Sequence, residues 1–215
     1  MTCTKCSFGL LMMLTAILLS MADASCQRIG FRILSGNSKI TVTPLFPVNL
    51  QFDQLVMDSG AVSEIELGGR NDERVVVVAV DVPEYGDLQV TATSTYANRL
   101  YHVAEKNSYI PFQLNMAYSN NGYTVNHTDI RSAKAQSIQA AKGLNSIIFS
   151  VNSSSSQSFN SAPLFEDEGN MQSKTRVYLF FYGSIGPVTS SSRVVAGIYE
   201  TDIMVNIEYI ADAED

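Results

Sequence analysis

Few residues of this chain have the type and spacing to do covalent chemistry. His102 and His127 are its two histidines, and neither has a second ligand at metal-binding spacing. The chain has no Gly-x-Ser-x-Gly elbow, phosphate-cradling glycine loop or dinucleotide fingerprint. Glu166-Asp167-Glu168-Gly169-Asn170 is acidic, but it lacks the spaced Asp/Asn pattern of a calcium loop and reads as a solvated loop. Serines crowd the stretch from Asn152 to Ser161, a low-complexity context that reads as a surface loop and carries no nucleophile signal. Asn126-His127-Thr128 and Asn152-Ser153-Ser154 match a glycosylation sequon, which has meaning only in a eukaryotic secretory pathway. No catalytic, cofactor-binding or metal-binding residue is therefore assigned, and the chain reads as a protein that is not an enzyme. Fourteen Lys and Arg stand against 21 Asp and Glu, a formal net charge of -7. That balance lacks the basic footprint of a nucleic-acid binder.

The chemistry on offer is non-covalent, and it sits at the two ends of the chain. Near the C-terminus, Ile203, Val205, Ile207 and Tyr209 alternate with Met204, Asn206 and Glu208. A period of two marks a strand with one face on a core. No later segment is left to pair with its far side, so the strand is a natural acceptor for an added strand. Near the N-terminus, Ile29, Phe31 and Ile33 share one face, opposite Arg28, Gly30 and Arg32. Ser35-Gly36-Asn37-Ser38 then breaks the run. Residues 28 to 34 are either the first strand of this molecule's own sheet or a hinged arm that adds to a neighbour.

The extreme N-terminus bears on the compartment. Residues 9 to 20 form an apolar run too short to span a membrane, preceded by Lys5 and followed by the small-x-small site Ala22-Asp23-Ala24. The reading is a signal peptide over 1–24, with Ser25 first in the exported chain and no integral membrane segment after it. Cys3 and Cys6 leave with the leader, so Cys26 remains alone and no internal disulfide is possible. A free thiol at the cleavage point raises lipidation as an alternative, but Asp23 stands where a lipobox wants an aliphatic residue.

The body reads as strand after strand. Val75 to Val80 is a β-branched run of the kind buried on both faces. Leu88, Val90 and Ala92 alternate with Gln89, Thr91 and Thr93; Phe112, Leu114, Met116 and Tyr118 alternate with Gln113, Asn115 and Ala117. Lys39 to Thr43 begins another strand, and Ile147, Phe149 and Val151 share a face. Val177 to Tyr182 is apolar or aromatic on both faces. After Asn120-Asn121-Gly122 the pattern predicts a turn and a returning strand at Tyr123-Thr124-Val125. The alanine-rich stretch from Arg131 to Lys142 reads as a short helix or an ordered loop. About 190 exported residues in this pattern predict one all-β domain, a sandwich of two sheets.

The C-terminal third carries a family likeness. Tyr182-Gly183, then Ala196-Gly197-x-Tyr199, then Asp202 before an alternating strand ending in Tyr209, resembles the spore coat protein U-like family, which includes pilin subunits of archaic chaperone–usher pili. Asn49-Leu50-Gln51-Phe52 and Phe112-Gln113-Leu114 resemble that family's early and central strands. The chain departs from the family in lacking cysteine pairs in its first half and in its longer middle spacings. The resemblance implies an incomplete immunoglobulin-like β-sandwich (38–215) missing its last strand, with residues 25–37 as donor-strand arm and hinge. Ile29, Phe31 and Ile33 would be the donor residues; Ile203, Val205, Ile207 and Tyr209 would line the acceptor. It implies a structural subunit of a surface pilus or fimbria serving adhesion or biofilm formation. Its partners would be identical or related pilin subunits, a periplasmic chaperone and an outer-membrane usher, with transit through the periplasm. The alternative is an exported monomeric or lipid-anchored β-sandwich binding domain, with residues 28 to 34 in its own sheet.

Overall fold

In a computed structural model of the chain, the residues described are 27–36, 38–45, 47–53, 55, 60–69, 72–83, 86–119, 134–137, 144–151, 174–188 and 194–210. The leader, Cys26, both sequons, the turn and returning strand at 120–125, the serine-rich stretch and the acidic cluster lie outside them.

Twelve strands follow one another: β1 (Gln27–Ser35), β2 (Thr41–Pro44), β3 (Asn49–Phe52), β4 (Ser63–Ile65), β5 (Val76–Pro83), β6 (Asp87–Ser94), β7 (Arg99–His102), β8 (Tyr109–Ser119), β9 (Lys134–Ser137), β10 (Leu144–Ser150), β11 (Lys174–Ile185) and β12 (Tyr199–Ile210). A single 3-10 turn, Asp72–Arg74, is the one helical element among the described residues. The class is all-β, as the alternation predicted.

The strands form two layers. One runs β10-β6-β12-β1-β3, and the other runs β9-β8-β11-β5-β2 with β4 on the end of β11. The long strand β8 joins them. Its first residues pair with β7, which also pairs with the start of β12, and residues 112–119 pair with β11.

The core lies between the layers, and alternation selects what enters it. Tyr199, Thr201, Ile203, Val205 and Ile207 of β12 are buried, while Glu200, Asp202, Met204, Asn206 and Glu208 are not. Tyr118 of β8 stacks on Phe149 of β10 across the layers, with ring centroids 3.9 Å apart. β5 and the middle of β11 are buried on both faces, which is why they read as unbroken apolar runs. On the face of that second layer away from the core, Arg176 and Asp81 are cross-strand partners joined by two hydrogen bonds of 2.6 and 2.9 Å. That forked contact holds the Arg176 guanidinium above its ordinary pKa.

One expectation is corrected. Residues 134–137 form β9, a strand paired antiparallel with residues 115–118 of β8, where a helix or ordered loop was predicted. Alanine favours helix by only a few tenths of a kcal/mol per residue over its neighbours. The side of β8 opposite β11 offers a row of donors and acceptors that a strand can pair, and that tertiary demand wins.

Phe31 and Phe181 meet across the core with centroids 5.2 Å apart. Phe181 is fully buried. Phe181→Ala is expected to lower unfolding free energy by about 3–5 kcal/mol, read as a shift in urea midpoint at unchanged slope. Combined with Phe31→Ala, a coupling of about 0.5–1.5 kcal/mol is expected. Strict additivity of the two substitutions would mean that β1 does not pack there in solution.

Candidate functional site

The site is built around β12, whose two sides are satisfied differently. On one side β6 runs antiparallel, with Ile203 opposite Ser94, Val205 opposite Ala92, Ile207 opposite Val90 and Tyr209 opposite Leu88. On the other side β1 runs parallel, from Arg28 opposite Glu200 to Ser35 opposite Ile207. The Gly36 N–H donates to the Ile207 carbonyl at 2.8 Å and extends the ladder past the end of β1. The far side of the last strand, expected to be open, is therefore filled within the same molecule by the first strand. β1 is itself flanked by β3, with residues 27–30 antiparallel to residues 52–49.

The predicted donor and acceptor residues are brought together, with unequal burial. Ile29, Phe31 and Ile33 stand opposite Thr201, Ile203 and Val205. Ile29 is wholly buried, while Phe31 and Ile33 are half-buried against the core. Ile203, Val205 and Ile207 are buried, and Tyr209 is half-buried, its ring filling the space where Gly86 has no side chain. Enclosing Ile29 alone stabilises the pairing by about 1.5–3 kcal/mol.

The opposite face of β1 is charged. Arg28 donates to the Glu200 carboxylate at 2.8 Å and Arg32 to the Asp202 carboxylate at 3.0 Å. All four side chains are about half exposed or more, so each pair contributes roughly 0–1 kcal/mol. Apolar burial thus supplies most of the energy. Gly30 sits between the arginines, opposite Asp202. A Cβ there would come within 2.7 Å of the Asp202 Oδ1.

The start of the pairing is held by Gln27, buried at the head of β1. Its side-chain oxygen accepts the Tyr199 N–H at 2.8 Å, and its amide nitrogen donates to the Gly197 carbonyl at 3.4 Å. Sequence pattern did not single out Gln27; a glutamine before an alternating run carries no signal without its partner.

The motif residues turn out to be packing devices around the same spot. The Tyr199 hydroxyl donates to the Val195 carbonyl at 2.7 Å and lies 2.6 Å from the Ser108 hydroxyl; both oxygens accept the Val195 N–H, at 3.0 and 3.1 Å. Gly197 leaves room for the His102 imidazole, which a Cβ would strike at Nε2. That ring cannot easily yield. Its Nδ1 accepts the Ala104 and Glu105 N–H groups, at 3.2 and 2.8 Å, and it meets Tyr199 edge-on at 5.1 Å. His102 thus serves as a structural acceptor. Gly183 lets β11 close on β8, since a Cβ there would overlap the Gln113 carbonyl oxygen. Tyr182 is half-buried beside it, and burial pushes its phenol up. Ala196 lies in the bend before β12, and Asp202 is the partner of Arg32.

Among the described residues no three His, Cys, Asp or Glu side chains cluster as a metal site, and no helix is long and apolar enough to cross a membrane.

No family model matches the chain, and no curated protein sequence matches it. Two solved structures align over most of its length. One is CfaE, the adhesive subunit of CFA/I fimbria of enterotoxigenic Escherichia coli, at 7% identity over 87% of this chain and 49% of that one, with a TM-score of 0.29. The chain spans about half the length of CfaE. The other is the CooA pilin subunit of enterotoxigenic Escherichia coli, at 8% identity over 88% of this chain and 99% of that one, with a TM-score of 0.20. At these scores the likeness carries no argument about kinship or role.

Gly183→Ala is expected to be the most disruptive of the motif substitutions, because its new methyl meets backbone that cannot rotate away. Tyr199→Phe should cost about 1–3 kcal/mol by leaving buried polar groups short of a partner. Thermal unfolding of both variants is the check. A Gly183→Ala protein with an unchanged Tm would refute the close-approach account.

Proposed function

We propose that this chain is a structural subunit of an extracellular pilus or fimbria, assembled by donor-strand complementation along a chaperone–usher route and serving adhesion or biofilm formation. The observation that carries the reading is the β1–β12 pairing. A strand from one end of the chain, followed by a Ser-Gly hinge at Ser35 and Gly36, completes the side of β12 left open at the other end. An element held in this way can be exchanged between identical molecules with every contact kept. Each molecule would lend residues 25–37 and accept a neighbour's arm in its 38–215 body. Such head-to-tail contacts do not close on themselves, so a filament follows. The self-paired molecule is then the closed state, which must open before it polymerises. A periplasmic chaperone strand would hold it open in transit, and an outer-membrane usher would be where a second subunit's arm replaces that strand. This reading also takes residues 1–24 as the export signal and Cys26 as unmodified.

A second reading is an exported monomeric β-sandwich domain. What favours it is that β1 pairs with β3 as well as with β12 inside its own molecule.

Deleting residues 27–34, or changing Phe31→Asp, tests the choice. The aspartate would put a carboxylate against Phe181 in the core, costing several kcal/mol. Purified wild-type protein refolded at high concentration is expected to form a ladder on an unboiled gel. Either variant should fail to extend a ladder yet still cap a wild-type chain by accepting its arm. Equal polymerisation of the arm-deleted protein would sink the reading, and a wild-type protein that stays monomeric would favour the second one.

A further inference from the structure

The apolar face of β1 cannot by itself choose its register. Sliding β1 by two residues keeps Ile29, Phe31 and Ile33 turned inward, because side chains repeat every second residue. The charged face distinguishes the slips. In the observed register Arg28 stands opposite Glu200, and Arg32, opposite Met204, reaches back to Asp202. Slid forward by two, Arg32 would stand opposite Asn206, and its backward reach would meet Met204. Slid backward by two, Arg28 would stand opposite Ile198. Each slip separates one arginine from its carboxylate. Each also replaces Gly30 opposite Asp202 with an arginine stem, in the space where even a Cβ comes within 2.7 Å of the carboxylate. On the other flank of β12, the outward positions of β6 opposite Met204, Asn206 and Glu208 are Thr93, Thr91 and Gln89, none of them charged. The cations that complement Glu200 and Asp202 come from β1.

We propose that Arg28, Gly30 and Arg32 form a selection code that admits the arm of a second copy of this chain into the slot between β12 and β3, in one register, and rejects arms of other charge. This rests on the strand-exchange reading above. Exchange keeps every contact of the closed molecule, so the arriving arm meets the same two carboxylates. The pairs add little affinity, being exposed, but like charges set in their place oppose docking, so they discriminate far more than they bind.

The test uses three variants of the whole chain. One carries Arg28→Glu with Arg32→Glu, the second carries Glu200→Arg with Asp202→Arg, and the third carries all four changes. The fourfold variant should refold and polymerise like the wild type, which controls for folding. Mixed with tagged chains, the swapped arm should enter the swapped slot at least about tenfold more than the wild-type slot. That preference should shrink as ionic strength rises from roughly 0.01 to roughly 1 M, where the screening length falls from about 30 to about 3 Å. Equal entry of the swapped arm into both slots, in chains that do polymerise, overturns the code and leaves strand exchange standing. Polymerisation by none of the proteins, wild type included, overturns strand exchange and the code with it.

Discussion

A strand in the middle of a sheet must have its backbone satisfied on both sides, and β12 is such a strand. Its buried face, from Tyr199 to Ile207, places it against the core, so neither side can be left to water at low cost. β6 serves one side. The other side needs a partner of its own. Here it is served by β1, about 170 residues away in sequence. The Gly36 N–H on the Ile207 carbonyl, the buried Gln27 and the packing of Phe31 on Phe181 all accompany that one pairing.

The arrangement separates affinity from orientation. Ile29, Phe31 and Ile33 supply apolar burial, which is indifferent to a slip of two residues. Arg28 and Arg32 supply little energy, but their contacts with Glu200 and Asp202 belong to one register. The same division holds at the head of the strand, where Gln27 uses one side-chain amide to meet both the Tyr199 N–H and the Gly197 carbonyl.

The glycines and tyrosine of the C-terminal motif do structural work at the same end. Tyr199 and Ser108 bind the bend at Val195 to the start of β8, and Gly197 seats His102 against the Tyr199 ring. They fix where β12 begins, and so where β1 must begin. What holds β1 at this site is its apolar face and its cross-strand neighbours.

Much of this was legible in the sequence because strand alternation is local. Ile203-x-Val205-x-Ile207, Ile29-x-Phe31-x-Ile33 and the unbroken valines of β5 announce both their secondary structure and their buried faces without knowledge of any partner. The all-β class and the complementary apolar faces at the two chain ends follow from that. Partners are not local. The parallel run of β1 on β12, its second neighbour β3, the roles of Gln27 and of Gly30, and the strand at 134–137 depend on which edge lies within reach once the layers are stacked. At 134–137 the local sequence, with Ala135 its one alanine, favours helix only weakly, whereas the ladder along β8 is worth a hydrogen bond at nearly every step. Local pattern determined what each segment would bury; only the tertiary structure decided against whom, because an unpaired backbone edge takes its partner from space and not from sequence.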